Sequence, residues 1–173
     1  MLILGIETSC DETSAAVVDD GCKTLSNVVS TQERLHLRFG GVVPEIACRA
    51  HIEAILPAID KALGDANVRL KDVDAVALAS TPGLIGALLI GLTAAKTLSW
   101  LLNVPLIAVN HLHAHILASR LEYGENLRFP TISFVISGGH TSLFLSHSET
   151  DHRPLGATLD DAAGEAFDKV AKL

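Results

Sequence analysis

"LILGIETSCDETSAAVV", Leu2–Val18, reads as strand, polar turn, strand. Leu2–Glu7 is apolar at almost every position, the run of a strand buried on both faces. Thr8–Thr13 then gathers hydroxyls and acids, and residues 14–20, "SAAVVDD", return to strand-forming residues. The pattern recurs at 131–146, "TISFVISGGHTSLFLS", as strand, small hydroxyl-rich turn, strand. Two such hairpins are what a duplicated domain supplies, one on each side of a cleft. Two unrelated hairpins also share that outline, so the echo has weight only with the rest of the chain.

Between the hairpins, apolar strands alternate with helices. "KTLSNVVSTQ" (23–32) is a third strand. Residues 44–66 open with Pro44 and place Ile46, Ile52, Ile55, Leu56, Ile59 and Leu63 at helical spacing, with a kink expected at Pro57. "DAVALAS" (74–80) is a strand, 84–101 a buried helix, "PLIAVN" (105–110) a strand, and a histidine-rich helix follows. Gly83, Gly86 and Gly91 leave room for close backbone approach. "EYGENLRFP" (122–130) reads as a linker. This order predicts an α/β fold with a parallel or mixed sheet. The domains are expected at 1–127 and 128–173.

Composition narrows the classes. A hydrophobic fraction of 49% against 19% charged residues supports a packed core and excludes disorder. Cys10, Cys22 and Cys48 are odd in number and lack CxxC spacing, which fits a reducing cytosol. The start, "MLILGIETSCDE", lacks the basic region of a secretory signal. The most apolar run, "LIGALLIGLTAA" (84–95), would span about 18 Å as a helix, against ~30 Å for a bilayer core. It is read as a core helix, not a membrane span. A net charge of −7 argues against unaided nucleic-acid binding, which needs phosphate neutralisation.

"NHLHAHILA" (110–118) carries three histidines. On a helix, His111 and His115 lie about 40° apart on one face, whereas His113 points roughly 200° away. An i,i+4 imidazole pair grips zinc or iron well, yet two ligands rarely suffice. A solvated, histidine-rich helix face is the alternative.

The turns offer further chemistry. "SGGHT" (137–141) combines glycine amides with the Ser137 and Thr141 hydroxyls and His140, a composition suited to a phosphate or adenylate. It is neither a Walker A loop nor GxGxxG, and it also serves as a plain hairpin turn. In "TSCDET" (8–13), Asp11 and Glu12 would repel a phosphate unless a metal intervenes or they handle a proton; a solvated acidic turn is the ordinary reading. Residues 160–173 read as a helix with Asp160 or Asp161 at its start and Asp168 inside it. It stops without a stop signal, as an N-terminal fragment would.

"GIETSCDET", "GGVVPEIA", "TPGLIGALLIG", "KTLSWLLNVPLIAVNHLHAHI", "SGGHTSL" and "GEAFDKVAKL" occur in this order. Together they resemble the TsaD family, earlier known as Gcp or O-sialoglycoprotein endopeptidase and related to the eukaryotic OSGEP proteins. The resemblance runs along essentially the whole chain. It implies an actin/Hsp70/sugar-kinase-like (ASKHA) fold: two duplicated domains around a nucleotide cleft, the second truncated here. It implies transfer of a threonylcarbamoyl group from threonylcarbamoyl-adenylate to N6 of the adenosine next to the tRNA anticodon.

By the same resemblance, His111 and His115 match the family's ligands for a divalent metal, Fe(2+) or Zn(2+), and the third ligand is an aspartate far downstream. Val135, Ile136, Ser137, Gly138, Gly139 and His140 match the adenylate-binding turn. Asp168 matches a substrate-contacting acid. TsaB-like and TsaE-like proteins are the implied partners, with tRNA as substrate, in the cytoplasm and with no membrane.

Three rivals are tested by residues. A zincin needs HExxH, and Leu112 stands where its glutamate would be, so proteolysis is excluded as the primary activity. A small-molecule kinase of the same fold has no use for the histidine pair. A non-catalytic TsaB-like partner lacks that pair altogether. Residues 1–173 alone are expected to be inactive and to aggregate through uncovered apolar strands.

Overall fold

The computed structural model describes residues 1–20 and 23–171; Cys22 and the last two residues of the expected C-terminal helix, Lys172 and Leu173, lie outside them. The chain forms two compact units, Met1–His111 and Leu112–Leu173.

The first unit is built on a mixed sheet. β1 (Leu2–Glu7), β2 (Glu12–Asp19) and β3 (Lys23–Thr31) form an antiparallel meander. β4 (Ala75–Thr81) and β5 (Leu106–Asn110) continue it in parallel from β1, giving the order β3-β2-β1-β4-β5. A four-residue helix, α1 (Glu33–His36), follows β3. α2 (Pro44–Ala66) crosses from the meander to β4, and α3 (Ile85–Leu102) crosses from β4 to β5. The core joins Leu4, Ile6, Ala15 and Val17 of the meander to Val76 and Leu78, with Ile55 and Ile59 of α2 and Ala95 of α3.

α2 starts with proline at its first turn, where the missing N–H costs nothing, and runs unbroken through Pro57. It ends on Asn67 in the left-handed conformation, as α3 does on Asn103. Its buried stripe is His51, Ile55, Ala58, Ile59 and Ala62; Ile52 and Leu56, expected in the core, are exposed.

α3 also departs from expectation. It buries only Ala87, Gly91 and Ala95, while Ile85, Leu89, Trp100 and Leu101 face outward. It is one helix long and apolar enough, by length and composition, to cross a membrane. Its small residues nevertheless serve packing. A Cβ at Gly86 would fall 2.5 Å from Cys48 Sγ, and one at Gly91 would overlap the Thr8 side chain.

The second unit contains α4 (His111–Tyr123), which starts at the last residue of the first unit, an antiparallel sheet and α5 (Ala163–Ala171). β6 (Thr131–Ile136), β7 (Thr141–Ser146) and β8 (His152–Ala157) pair in the order β6-β7-β8. The sequence pattern missed β8, whose "HRPLGA" carries a proline and a glycine. Proline is tolerated there because β8 is an edge strand and the β7–β8 register shifts at Leu143/Phe144, beside Pro154. Ile116, Val135 and Phe144 form a small core.

Candidate functional site

β1, β4 and β5 are parallel neighbours, so their C-terminal ends share one edge of the first unit's sheet. In open α/β sheets this edge is where ligands bind. Here it carries Glu7 at the end of β1, the turn that leaves β4 from Thr81 to Leu84, and Asn110–His111 where β5 passes into α4.

Glu7 ends an otherwise apolar strand, and its carboxylate is partnered on both oxygens. His111 Nδ1 lies 2.8 Å from Oε2, and the backbone N–H of Ser9 donates to Oε1. Ser9 Oγ lies farther from the same Nδ1, at 3.3 Å. Burial pushes the Glu7 carboxyl upward, but the hydrogen bonds from His111 and Ser9 outweigh it and hold Glu7 below its ordinary value. It is therefore an ionised acceptor at neutral pH.

The β1–β2 turn is clamped from behind. Thr8 Oγ1 donates to the Ala87 carbonyl at 2.9 Å, and Leu84 N–H to the Ser9 carbonyl at 2.8 Å. A Cβ at Gly83 would fall 2.6 Å from that Ser9 oxygen, so only glycine lets α3 approach this closely. From α2, fully buried His51 places Nε2 2.9 Å from the Cys10 carbonyl and Nδ1 2.8 Å from Thr13 Oγ1. A carbonyl only accepts, so Nε2 carries the proton and Nδ1 accepts from Thr13.

Asp11 lies in this turn, half-buried, with its carbonyl bonded to Gln32 N–H at 3.0 Å. Glu12, expected in the turn, is the exposed first residue of β2, paired with Thr31. Desolvation, then the neighbouring Asp11 charge, push the Cys10 thiol up to about 12, so it is no nucleophile at neutral pH.

In the second unit, residues 137–140 form the β6–β7 turn. Val135 is buried, while Ile136, Gly138 and Gly139 are exposed. Ser137 N–H donates to the His140 carbonyl at 2.8 Å, and His140 N–H to Ser137 Oγ at 3.0 Å. The turn meets the start of α5: Ala163 N–H donates to Thr141 Oγ1 at 2.8 Å and Gly164 N–H to the Ser137 carbonyl at 3.2 Å. That corrects the expected helix start. Asp160 and Asp161 precede α5, and Thr141 and Ser137 satisfy its first amides. Asp168 is exposed on α5.

Of the three histidines, His111 lies in the first unit and His113 and His115 in the second. His113 packs in the second unit, edge-on to Phe144 and 4.7 Å from the His152 ring. His115 is exposed and faces a groove lined also by Ile116, Ser119, Thr131 and Ser133. His111 belongs to the Glu7 cluster of the first unit. Among the described residues, no three His, Cys, Asp or Glu side chains gather as a metal site.

Sequence reasoning missed Glu7 and His51. Glu7 had a local signal, a charged residue closing a buried strand, where only a partner offsets its desolvation. His51 had one too: it lies four residues before Ile55 on the buried stripe of α2.

Residues 23–173 match the family model described as TsaD, tRNA N6-adenosine threonylcarbamoyltransferase. This chain belongs to the TsaD family. Relatives bearing that full name include those of Protochlamydia amoebophila, 51% identical over 173 residues, and Syntrophobacter fumaroxidans, 55% identical over 173 residues. Both alignments cover 100% of this chain, but 50% and 51% of the relatives. The chain thus spans about half the length of the curated TsaD relatives it matches.

Among solved structures, it resembles YeaZ from Pseudomonas aeruginosa, with TM-score 0.57, 23% identity and coverage of 90% of this chain and 64% of that one. It also resembles the ROK hexokinase from Thermus thermophilus, with TM-score 0.53, 19% identity and coverage of 95% and 50%. These likenesses establish the fold, which is the ASKHA α/β fold the TsaD resemblance implied.

Proposed function

We propose that this chain is the N-terminal part of an enzyme that transfers the threonylcarbamoyl group from threonylcarbamoyl-adenylate to N6 of the adenosine beside the anticodon of tRNAs reading codons that begin with adenine. The observation that carries this reading is identity of 51% and 55% along the whole chain to relatives named for tRNA N6-adenosine threonylcarbamoyl transfer. The YeaZ and hexokinase likenesses carry fold alone, so the non-catalytic partner and the small-molecule kinase lack equal support.

The donor is a mixed anhydride and already activated. The N6 nitrogen forms a bond to the carbamoyl carbon, the bond from that carbon to the phosphate oxygen breaks, and AMP departs with the electron pair. The protein must orient the reactants, stabilise charge on the leaving phosphate and accept the proton from N6. We assign proton handling to Asp11 or Glu12, at the rim of the β1–β2 turn. The adenylate is assigned to the Val135–His140 turn and Asp168. Support comes from Gly138 and Gly139, where an added Cβ would meet nothing within 4 Å, so packing within this unit does not require glycine.

His111 and His115 would hold a divalent metal, with the third ligand contributed by sequence beyond these residues. The donor set fits: two imidazoles one helical turn apart, the first hydrogen-bonded through Nδ1 to a carboxylate, suit iron or zinc. When bound, the metal supplies Lewis-acid stabilisation of carbamoyl or phosphate oxygen.

The domains are assigned as 1–127 and 128–173, the cytoplasm as location, and TsaB-like and TsaE-like proteins as partners that offset the unfavourable net charge of −7 for tRNA docking. The test uses the intact protein with its partners, unmodified tRNA and threonylcarbamoyl-adenylate, followed by tRNA digestion and mass spectrometry. Threonylcarbamoyladenosine is expected, and His111→Ala should abolish it. Its absence from the wild-type reaction while the adenylate still binds would overturn the transferase reading.

A further inference from the structure

We propose that Glu7 is a positioning residue for His111: its carboxylate fixes the imidazole in the Nδ1–H tautomer and sets its aim, so that Nε2 is the nitrogen offered as a ligand. This rests on the metal-binding reading of His111 and extends it to a residue that the sequence reading treated only as the end of a strand.

The geometry is specific. An ionised carboxylate only accepts, so the proton shared at 2.8 Å belongs to Nδ1. A second contact on the same nitrogen, Ser9 Oγ at 3.3 Å, is longer and lacks charge assistance, so the carboxylate outweighs it there. In a neutral imidazole, a proton on Nδ1 leaves the ring lone pair on Nε2. A ligating histidine held through its other nitrogen by a carboxylate is oriented and made more basic in this way.

Glu7 is itself held firmly. Its backbone pairs with Ser14 in the β1–β2 ladder, and its second oxygen takes the Ser9 N–H. Ser9 in turn is pinned by Leu84 N–H and crowded by Gly83. The carboxylate is thus a fixed point. His111 lies 104 residues away, at the mouth of β5, where β5 gives way to α4. A partly buried carboxylate at the end of an apolar strand costs desolvation that its partners must offset. Satisfaction alone would account for its two hydrogen bonds, so the test must read the imidazole.

The experiment uses the intact protein with ¹⁵N-labelled histidine, stripped of metal with a chelator. His111 is assigned from the signal lost in His111→Gln. The wild type should show the Nδ1–H tautomer, and Glu7→Ala should shift His111 towards Nε2–H. Glu7→Gln should largely retain the wild-type form, because its amide oxygen still accepts from Nδ1–H. Zn(2+) affinity, measured against a competing chelator, should fall about 10–100-fold in Glu7→Ala and less in Glu7→Gln.

A wild-type His111 in the Nε2–H form would overturn the proposal without any variant, even if Glu7→Ala failed to fold. An unchanged tautomer, or unchanged Zn(2+) affinity, in Glu7→Ala would also overturn it. If wild type and variants all fail to bind Zn(2+), the metal reading falls, while the tautomer spectra still decide the role of Glu7 on the imidazole.

Discussion

The two hairpins that look alike in sequence are treated oppositely by the folded chain. In the first, Thr8, Ser9 and Thr13 are buried, and their hydroxyls meet the Ala87 carbonyl of α3, His111 and His51 respectively. In the second, Gly138 and Gly139 are exposed, and Ile132, Phe134 and Ile136 stand outward along one face of β6. Both follow the same strand–turn–strand rule. What differs is the neighbour: α2 and α3 close on the first hairpin's turn, and the second turn meets the start of α5. A hydroxyl-rich turn is therefore not a site by composition.

The largest contrast should come from His51. His51→Ala would leave the Cys10 carbonyl and Thr13 hydroxyl without their buried partner and open a cavity, at a cost of about 3 kcal/mol. Urea unfolding followed by hydrogen exchange in β1 and β2 checks this. A loss below 1 kcal/mol would mean that the first turn is not held through α2.

Glycine substitutions sharpen the comparison at the next level. Gly83→Ala presses a methyl on the backbone oxygen of Ser9, which cannot swing aside, and should cost about 1–3 kcal/mol. Gly139→Ala, in open space, should stay within about 0.5 kcal/mol. Any loss of adenylate affinity in Gly139→Ala, read by calorimetry, would then report the ligand and not the fold.

The smallest effect is a pH dependence of the second unit. Burial, then the neighbouring His152, hold His113 below its ordinary 6.5, and burial lowers His152 despite Asp151. The unfolded chain therefore binds protons more readily. This unit's stability is intact above 6.5 and declines as pH falls through the lowered folded values. Exchange protection of β7 and β8 should drop between about pH 7 and pH 5, and His152→Gln should flatten that acid arm. Equal slopes in both proteins would remove the histidine pair from the explanation.

Much of the frame was legible locally. The strands 2–7 and 131–136, the start of α2 at Pro44 and the order of helices all follow from periodicity and from turn residues. The glycines of 83–91 were legible as points of close approach, and the approach is there. Periodicity failed where burial depends on which face meets a neighbour. α3 is apolar on nearly every side, so its sequence offers no stripe to choose, and the fold buries the small residues and exposes Ile85 and Trp100. β8 failed for another reason: Pro154 and Gly156 oppose strand propensity, and only its edge position admits them.

By itself the sequence determined the local alphabet of this protein: hairpin, crossover helix, HxxxH, and motifs dense enough to place it among the TsaD proteins. Tertiary structure alone decided that Glu7 meets His111 across 104 residues and that His51 reaches the Cys10 carbonyl across 41. Spacing rules describe residues that share one element, whereas those contacts depend on how strands β1, β4 and β5 stack in register and on which face α2 turns inward. Those choices are made by packing the whole core at once.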